Sequence, residues 1–248
     1  MNLSRCFSLA FAVLGPICLV DLASGVNGPI AEISVSTYPF LIMVKTTVDS
    51  LEATVPGVFI ARHYVLSMGE ILADVLFEDI TLTFDQYVTD DIVSPVDSFK
   101  DPDDFIIIFK TCRRHVRKVM PLTPSLYPTF TANLTGTVMW FDTNGTLYGH
   151  STTVLADVNC DQAYLDSNTS PGAYNASYNS CLEIDPSPCD YYKSDTEVHF
   201  PVLAVNGMVT SLLDWISCDG TDYNGTVAFN NIQYWRNFIL GAVPSAIP

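Results

Sequence analysis

The alternation of apolar and polar positions along the chain is that of short strands. Val202-Leu203-Ala204-Val205 and Met208-Val209 are two apolar runs joined at Asn206-Gly207. Asn-Gly between such runs is the strongest short-range hairpin signal. Pro201 stands just before the first run and closes a polar turn at Glu197-Val198-His199-Phe200. A second strand–turn–strand unit spans 56–71: Pro56 to Ala61, a turn at Arg62-His63, then Tyr64-Val65-Leu66-Ser67. Thr81-Leu82-Thr83-Phe84 alternates as a half-buried strand should. Phe105-Ile106-Ile107-Ile108-Phe109 is a further apolar run. Only Asn231 to Ile239 carries the apolar spacing of a short amphipathic helix. The pattern predicts an all-β chain with one short C-terminal helix.

Composition adds a compartment. Residues 1–25 read as a signal peptide: Arg5 is the basic start, Phe7 to Val20 the apolar run, and Ala23-Ser24-Gly25 the small residues of a cleavage site. The rival reading is a membrane anchor. Pro16 and Asp21 interrupt the run, which falls short of the ~20 apolar residues a span needs. Secretion favours pairing of the five remaining cysteines, Cys112, Cys160, Cys181, Cys189 and Cys218. The number is odd, so one is left over or pairs between chains. A metal site is not expected, since no Cys-x-x-Cys pair or His cluster is present. No cofactor signature is present either.

The net charge is −16, against general binding to nucleic acid or to anionic membranes. One segment stands apart. Lys110, Arg113, Arg114, Arg117 and Lys118 fall close together in an acidic chain. They make either a solvated loop that balances nearby acids or a docking patch for an acidic partner. There are five Asn-x-Ser/Thr sequons after the signal, at Asn133, Asn144, Asn168, Asn175 and Asn224. All fall in predicted loops or turns, where a glycan can be carried.

The order Cys189, turn, Pro201, apolar strand, Asn206-Gly207, apolar strand, Cys218 resembles the chymotrypsin-like serine proteases. The resemblance extends from Val26 to about Ala242. Val26-Asn27-Gly28 is similar to the Val-Gly-Gly of the family's mature start, and Tyr38-Pro39-Phe40-Leu41-Ile42-Met43-Val44 to its first strand. Val65 to Ile71 resembles the strand ending in Thr-Ala-Ala-His-Cys, and Asp101 to Lys110 the Asn-Asn-Asp-Ile-Ala-Leu-Leu-Lys strand. Val119-Met120-Pro121-Leu122 resembles the link between barrels, and Gly136 to Phe141 the strand that follows.

The resemblance implies two packed six-stranded antiparallel β-barrels with a short C-terminal helix. The N-terminal barrel would cover about 26–122 and the C-terminal one about 123–242. Trp235, Phe238 and Ile239 would face the barrel. Disulfides would join Cys160 to Cys181 and Cys189 to Cys218, the first contributing roughly 3 kcal/mol by loop entropy. Cys112 has no partner in this set and becomes either a free thiol or the link of a disulfide-bonded dimer. The family's substrate-binding edge, Ser-Trp-Gly, would stand near Leu212, Leu213 and Asp214 without keeping that pattern.

The family's reaction needs a Ser nucleophile, a His base oriented by an Asp, and backbone N–H groups that hold an oxyanion. Counted back from Pro201, the Ser position holds Val198, which has no hydroxyl. The His position holds Glu70. The Asp position holds Asp104. His63 lies too far upstream to replace the base and caps a surface turn. No Lys or Arg occurs between Arg5 and Lys45, so no trypsin-like cut can expose Val26. Signal removal would do so, and the freed amine is expected to pair with Glu197, which stands where the family has its amine-binding Asp. The expected function is that of a secreted, non-catalytic protease homologue that binds an extracellular protein, such as an active protease or its substrate. The alternatives are an active peptidase built on Glu70, Asp104 and Thr196 or His199, and an abundant secreted component without a regulatory role.

Overall fold

The structure is a computed structural model that describes residues 29–72, 74–83, 92–103, 105–112, 118–122, 133–156, 160, 175–183, 196–216 and 226–246. These residues form strands β1 (Ala31–Glu32), β2 (Leu41–Val48), β3 (Leu51–Ala61), β4 (Tyr64–Met68), β5 (Thr81–Thr83), β6 (Ile92–Val93), β7 (Pro95–Lys100) and β8 (Ile106–Thr111). After them come β9 (Thr135–Phe141), β10 (Leu147–Val154), β11 (Asn179–Glu183), β12 (Glu197–His199), β13 (Val202–Val205), β14 (Met208–Ile216) and β15 (Thr226–Asn231). Helix α1 (Gly69–Leu72) follows β4, and α2 (Arg236–Ala242) continues a 3-10 turn at Ile232–Trp235.

The strands make two sheets. The first runs β6-β5-β2-β3-β4-β8-β7, the expected barrel strands with the two-residue β6 added. Its central strands are buried on both faces, which is why Leu41-Ile42-Met43-Val44 and Ile106-Ile107-Ile108-Phe109 read as continuous apolar runs rather than alternations. The turn joining β2 to β3 has Asp49 and Ser50 at φ 50° and 70°. Both central residues of a primed two-residue turn need positive φ. Asp-Ser is a weaker signal for that turn than the Asn206-Gly207 pair between β13 and β14, where φ is 52° and 76°.

The second sheet runs β1-β10-β11-β15-β14-β13-β9, and β9 pairs back onto β10. Six strands, β9, β10, β11, β15, β14 and β13, therefore close a ring, which removes exposed strand edges. Two strands cross between the halves of the sequence. β1 comes from the N-terminal segment but pairs with β10, and β12 comes from the second half but pairs with β3.

The two sheets share one apolar core. Gly136 and Gly149 sit where a side chain has no room: a Cβ would lie 2.6 Å from Leu203 Cδ1 at the first and 2.7 Å from the Val138 carbonyl at the second. The C-terminal helix buries Trp235 and Ile239 and half-buries Phe238, as its spacing implies, and buries Ile232 as well. Trp235 Nε1 donates to Asp101 Oδ2 at 3.2 Å, and Arg236 Nε donates to the Leu122 carbonyl at 2.8 Å. The helix is thereby tied to the first half of the chain.

Candidate functional site

The site forms where β12 lies on β3. The pairing is parallel, with Glu197, Val198 and His199 opposite Glu52, Ala53 and Thr54. Glu52 N–H donates to the Thr196 carbonyl at 3.0 Å, and Phe200 N–H donates to the Thr54 carbonyl at 2.9 Å. Between those two bonds, the ladder directs the N–H of Val198 to the Glu52 carbonyl and its C=O to the Thr54 N–H. The backbone N–H of Val198 is thus committed to a neighbouring strand. Val198 itself is half-buried, and Glu70 is exposed in the single turn of α1 that follows β4.

His199 turns inward from β12 and is 8% exposed. Thr54 Oγ1 donates to the Phe141 carbonyl at 2.6 Å and lies 2.8 Å from His199 Nδ1. The threonine proton is already engaged, so His199 must carry its proton on Nδ1 and donate it to Thr54. That leaves Nε2 bare, 3.5 Å from Glu197 Oε2. Burial pushes the imidazole below its usual pKa, and the carboxylates of Glu197, Asp142 and Glu52 oppose that shift. His199 is therefore neutral at neutral pH.

The polar chain continues outward. Thr143 Oγ1 donates to Glu197 Oε1 at 2.8 Å, Lys45 Nζ donates to the Thr143 carbonyl at 2.8 Å, and Lys45 pairs with Glu52. This chain joins β2 and β3 of the first sheet, β12, and the β9–β10 turn of the second. Chemically it holds neutral and paired groups in place, and it contains no hydroxyl beside a free imidazole nitrogen. The one imidazole–hydroxyl contact, His199 to Thr54, runs with the proton on the histidine side.

The other expected residues fall as follows. Asp104 lies outside the described residues, as do Val26, Cys189, Cys218, Asn168, Asn224, Arg113, Arg114 and Arg117. Glu197, the proposed partner of the Val26 amine, accepts from Thr143 Oγ1 and has its other carboxylate oxygen 3.5 Å from His199 Nε2. A disulfide joins Cys160 to Cys181 with the Cα atoms 5.6 Å apart, and Cys112 is an exposed free thiol. Lys110 is half-buried on β8 opposite Asp97 of β7, and Lys118 is exposed. Asn133, Asn144 and Asn175 are exposed. At Asn175 the sequon is folded on itself: Ser177 N–H and Oγ donate to Asn175 Oδ1 at 3.0 and 2.6 Å. His63 lies in the turn before β4, with Nδ1 3.3 Å from the Thr111 carbonyl.

Two readings change. Leu212 and Leu213 do not form a substrate-binding edge. Both are buried, and Leu212 pairs with Val202 on one side and Asn230 on the other. β14 is bulged after Leu213 and runs on through Trp215 and Ile216. A second acid was missed beside Asp104. Asp101 is buried and accepts Ile106 N–H at 2.6 Å, Asp103 N–H at 3.2 Å and Trp235 Nε1–H. The signal for it was the Asp-Pro-Asp before an apolar strand, a turn in which the first Asp caps backbone N–H groups.

Among the described residues no group of three or more His, Cys, Asp and Glu could hold a metal ion. Among them, too, no helix is long and apolar enough to cross a membrane.

No protein-family model matches the sequence, and no curated protein matches it. Solved structures do match. The scabies mite inactivated protease paralogue S-D1 superposes with a TM-score of 0.67 at 14% identity, over 89% of this chain and 98% of that one. The scabies mite inactivated protease paralogue S-I1 gives 0.65 at 11% identity, over 86% and 98%. Kallikrein-related peptidase 10, in complex with Zn2+, gives 0.65 at 15% identity, over 86% and 99%. Two sheets, antiparallel but for the β12–β3 pairing, one of them closed into a ring of six strands, and a short C-terminal helix thus give this chain the chymotrypsin-like serine protease fold.

Proposed function

We propose that the protein is a secreted, non-catalytic member of this fold that acts by binding another extracellular protein. The observation that carries the reading is the pairing of β12 with β3. It takes up the Val198 N–H that an oxyanion hole would need, at a position that also lacks a hydroxyl. With Glu70 in place of a base, neither half of the reaction has its group. The likeness to two proteases described as inactivated supports the same reading.

Secretion rests on the apolar segment at 7–20, the Cys160–Cys181 disulfide and the sequons. The partner surface we assign is the basic segment from Lys110 to Lys118, which would attract an acidic patch on an active protease or its substrate. Cys112 at its start is exposed and free, so a disulfide-linked dimer would pass through it.

The test is labelling of the folded, deglycosylated protein with a fluorophosphonate probe, read by intact mass. The probe requires an activated hydroxyl. No adduct is expected. An adduct on Thr196 or any other hydroxyl would establish the rival reading, a peptidase with an unusual constellation.

A further inference from the structure

A groove of about 740 Å³ opens beside the site between β2, β5 and the β9–β10 turn. Its volume is that of a ligand site, ~300–1,000 Å³. All but one of its lining residues are polar, Lys45, Thr47, Ser50, Asp79, Thr81 and Thr196 among them, and about half of the wall they present is apolar. Hydroxyls, a carboxylate and an amine suit a ligand that is itself rich in hydroxyls. Asn144 also lines this groove, and it is the acceptor of an Asn-Gly-Thr sequon.

The position of Asn144 is fixed by its turn. Gly145 N–H donates to the Asp142 carbonyl at 3.0 Å, and Gly145 has φ 89°. This is a three-residue hairpin loop that ends in a left-handed glycine. Asp142 Oδ1 accepts Thr146 N–H at 2.6 Å. Thr143, next to the acceptor, is held on both sides: its hydroxyl by Glu197 and its carbonyl by Lys45. Lys45 is itself a wall of the groove. The loop tip is therefore anchored to the wall, with the exposed Asn144 at the groove's rim.

We propose that an N-linked glycan on Asn144 lies in this groove and covers it, with its first sugars hydrogen-bonded to the threonine, serine and aspartate side chains of β2, β5 and the turn at Asp79. This rests on the reading of the protein as secreted. The groove reaches Thr196, the residue before β12, so the glycan also covers that end of the β12–β3 pairing.

The experiment is site-resolved glycopeptide mapping of the full chain secreted from a eukaryotic culture, followed by release with peptide N-glycosidase from native and denatured protein. Asn144 is expected to be occupied. Its glycan should leave native protein about tenfold more slowly than that on Asn175, the protection given by roughly 1.4 kcal/mol of docking, and at the same rate after denaturation. Thr47→Trp fills the groove from an exposed strand position and should bring the native rate up to that of Asn175. An unmodified Asn144 in protein glycosylated at Asn133 or Asn175 overturns the proposal and leaves secretion standing. So does native release as fast as at Asn175. Protein that is exported by no route and carries no glycan overturns both readings.

Discussion

Thr54 is where the three parts of the site meet, and its hydroxyl is the group to remove. It is fully buried, donates to the Phe141 carbonyl of β9 at 2.6 Å and accepts His199 Nδ1–H of β12 at 2.8 Å. Thr54→Val keeps the shape and deletes both bonds. Each buried group left without a partner costs about 1–3 kcal/mol. The carbonyl has a second lone pair and sits at the low end, while the imidazole N–H has no such reserve. The expected loss is about 2–4 kcal/mol in total. In urea, with a slope of ~3 kcal/mol per molar, the unfolding midpoint should fall by about 1 M, followed by tryptophan fluorescence. Thr54→Ser keeps the hydroxyl and should recover most of that shift. In a His199→Phe background Thr54→Val should cost at least ~1 kcal/mol less, since the two side chains are directly coupled. A midpoint for Thr54→Val within ~0.2 M of the parent would refute the assignment of the hydroxyl as the joint between β3, β9 and β12.

Two further outcomes follow from the same geometry. Burial holds the pKa of His199 and of His150 below that of a free histidine; below about pH 6.5 the unfolded chain takes up protons that the folded one does not. Stability should thus fall as pH drops through 6.5, a loss that levels off below the folded pKa values, and His199→Gln should flatten the profile in a pH series of urea melts; an unchanged profile in that variant would exclude His199 as a contributor. On the proposed reading of these positions, Val198→Ser with Glu70→His should give no fluorophosphonate adduct, because residue 198 still donates its N–H to Glu52; a stoichiometric adduct would show that the ladder does not prevent the chemistry.

Much of the fold was legible because its strands announce themselves. Asn206-Gly207, the alternation that begins at Thr81 and the apolar run before Lys110 each mark a strand or its turn, and among the described residues the structure has β13 and β14, β5 (Thr81–Thr83) and β8 there. The β2–β3 turn was less legible, since Asp49-Ser50 lacks the glycine that usually supplies positive φ. The pairing of β12 with β3 was not legible at all. A parallel contact between residues about 145 apart has no local signal, and Glu-Val-His is too short a stretch to show a period. The use of His199 could not be read from the sequence. Its role depends on Thr54, and on which proton that threonine has already given away.

Residues 197–199 differ from the loop they resemble in backbone as much as in chemistry. In the family the nucleophile lies in Gly-Asp-Ser-Gly-Gly-Pro, where glycines on both sides permit conformations closed to other residues. The stretch that resembles it here, counted back from Pro201, reads Thr-Glu-Val-His-Phe-Pro. A β-branched valine flanked by bulky side chains favours extended backbone, and the structure has extended backbone there, paired with β3. Once the segment is extended, alternate side chains point to opposite faces. His199 then enters the space toward Thr54 while Val198 faces away from it. The carboxylate of Glu197 and the imidazole of His199, held on that strand, reach Thr143 and Thr54 and bind the two halves of the molecule together.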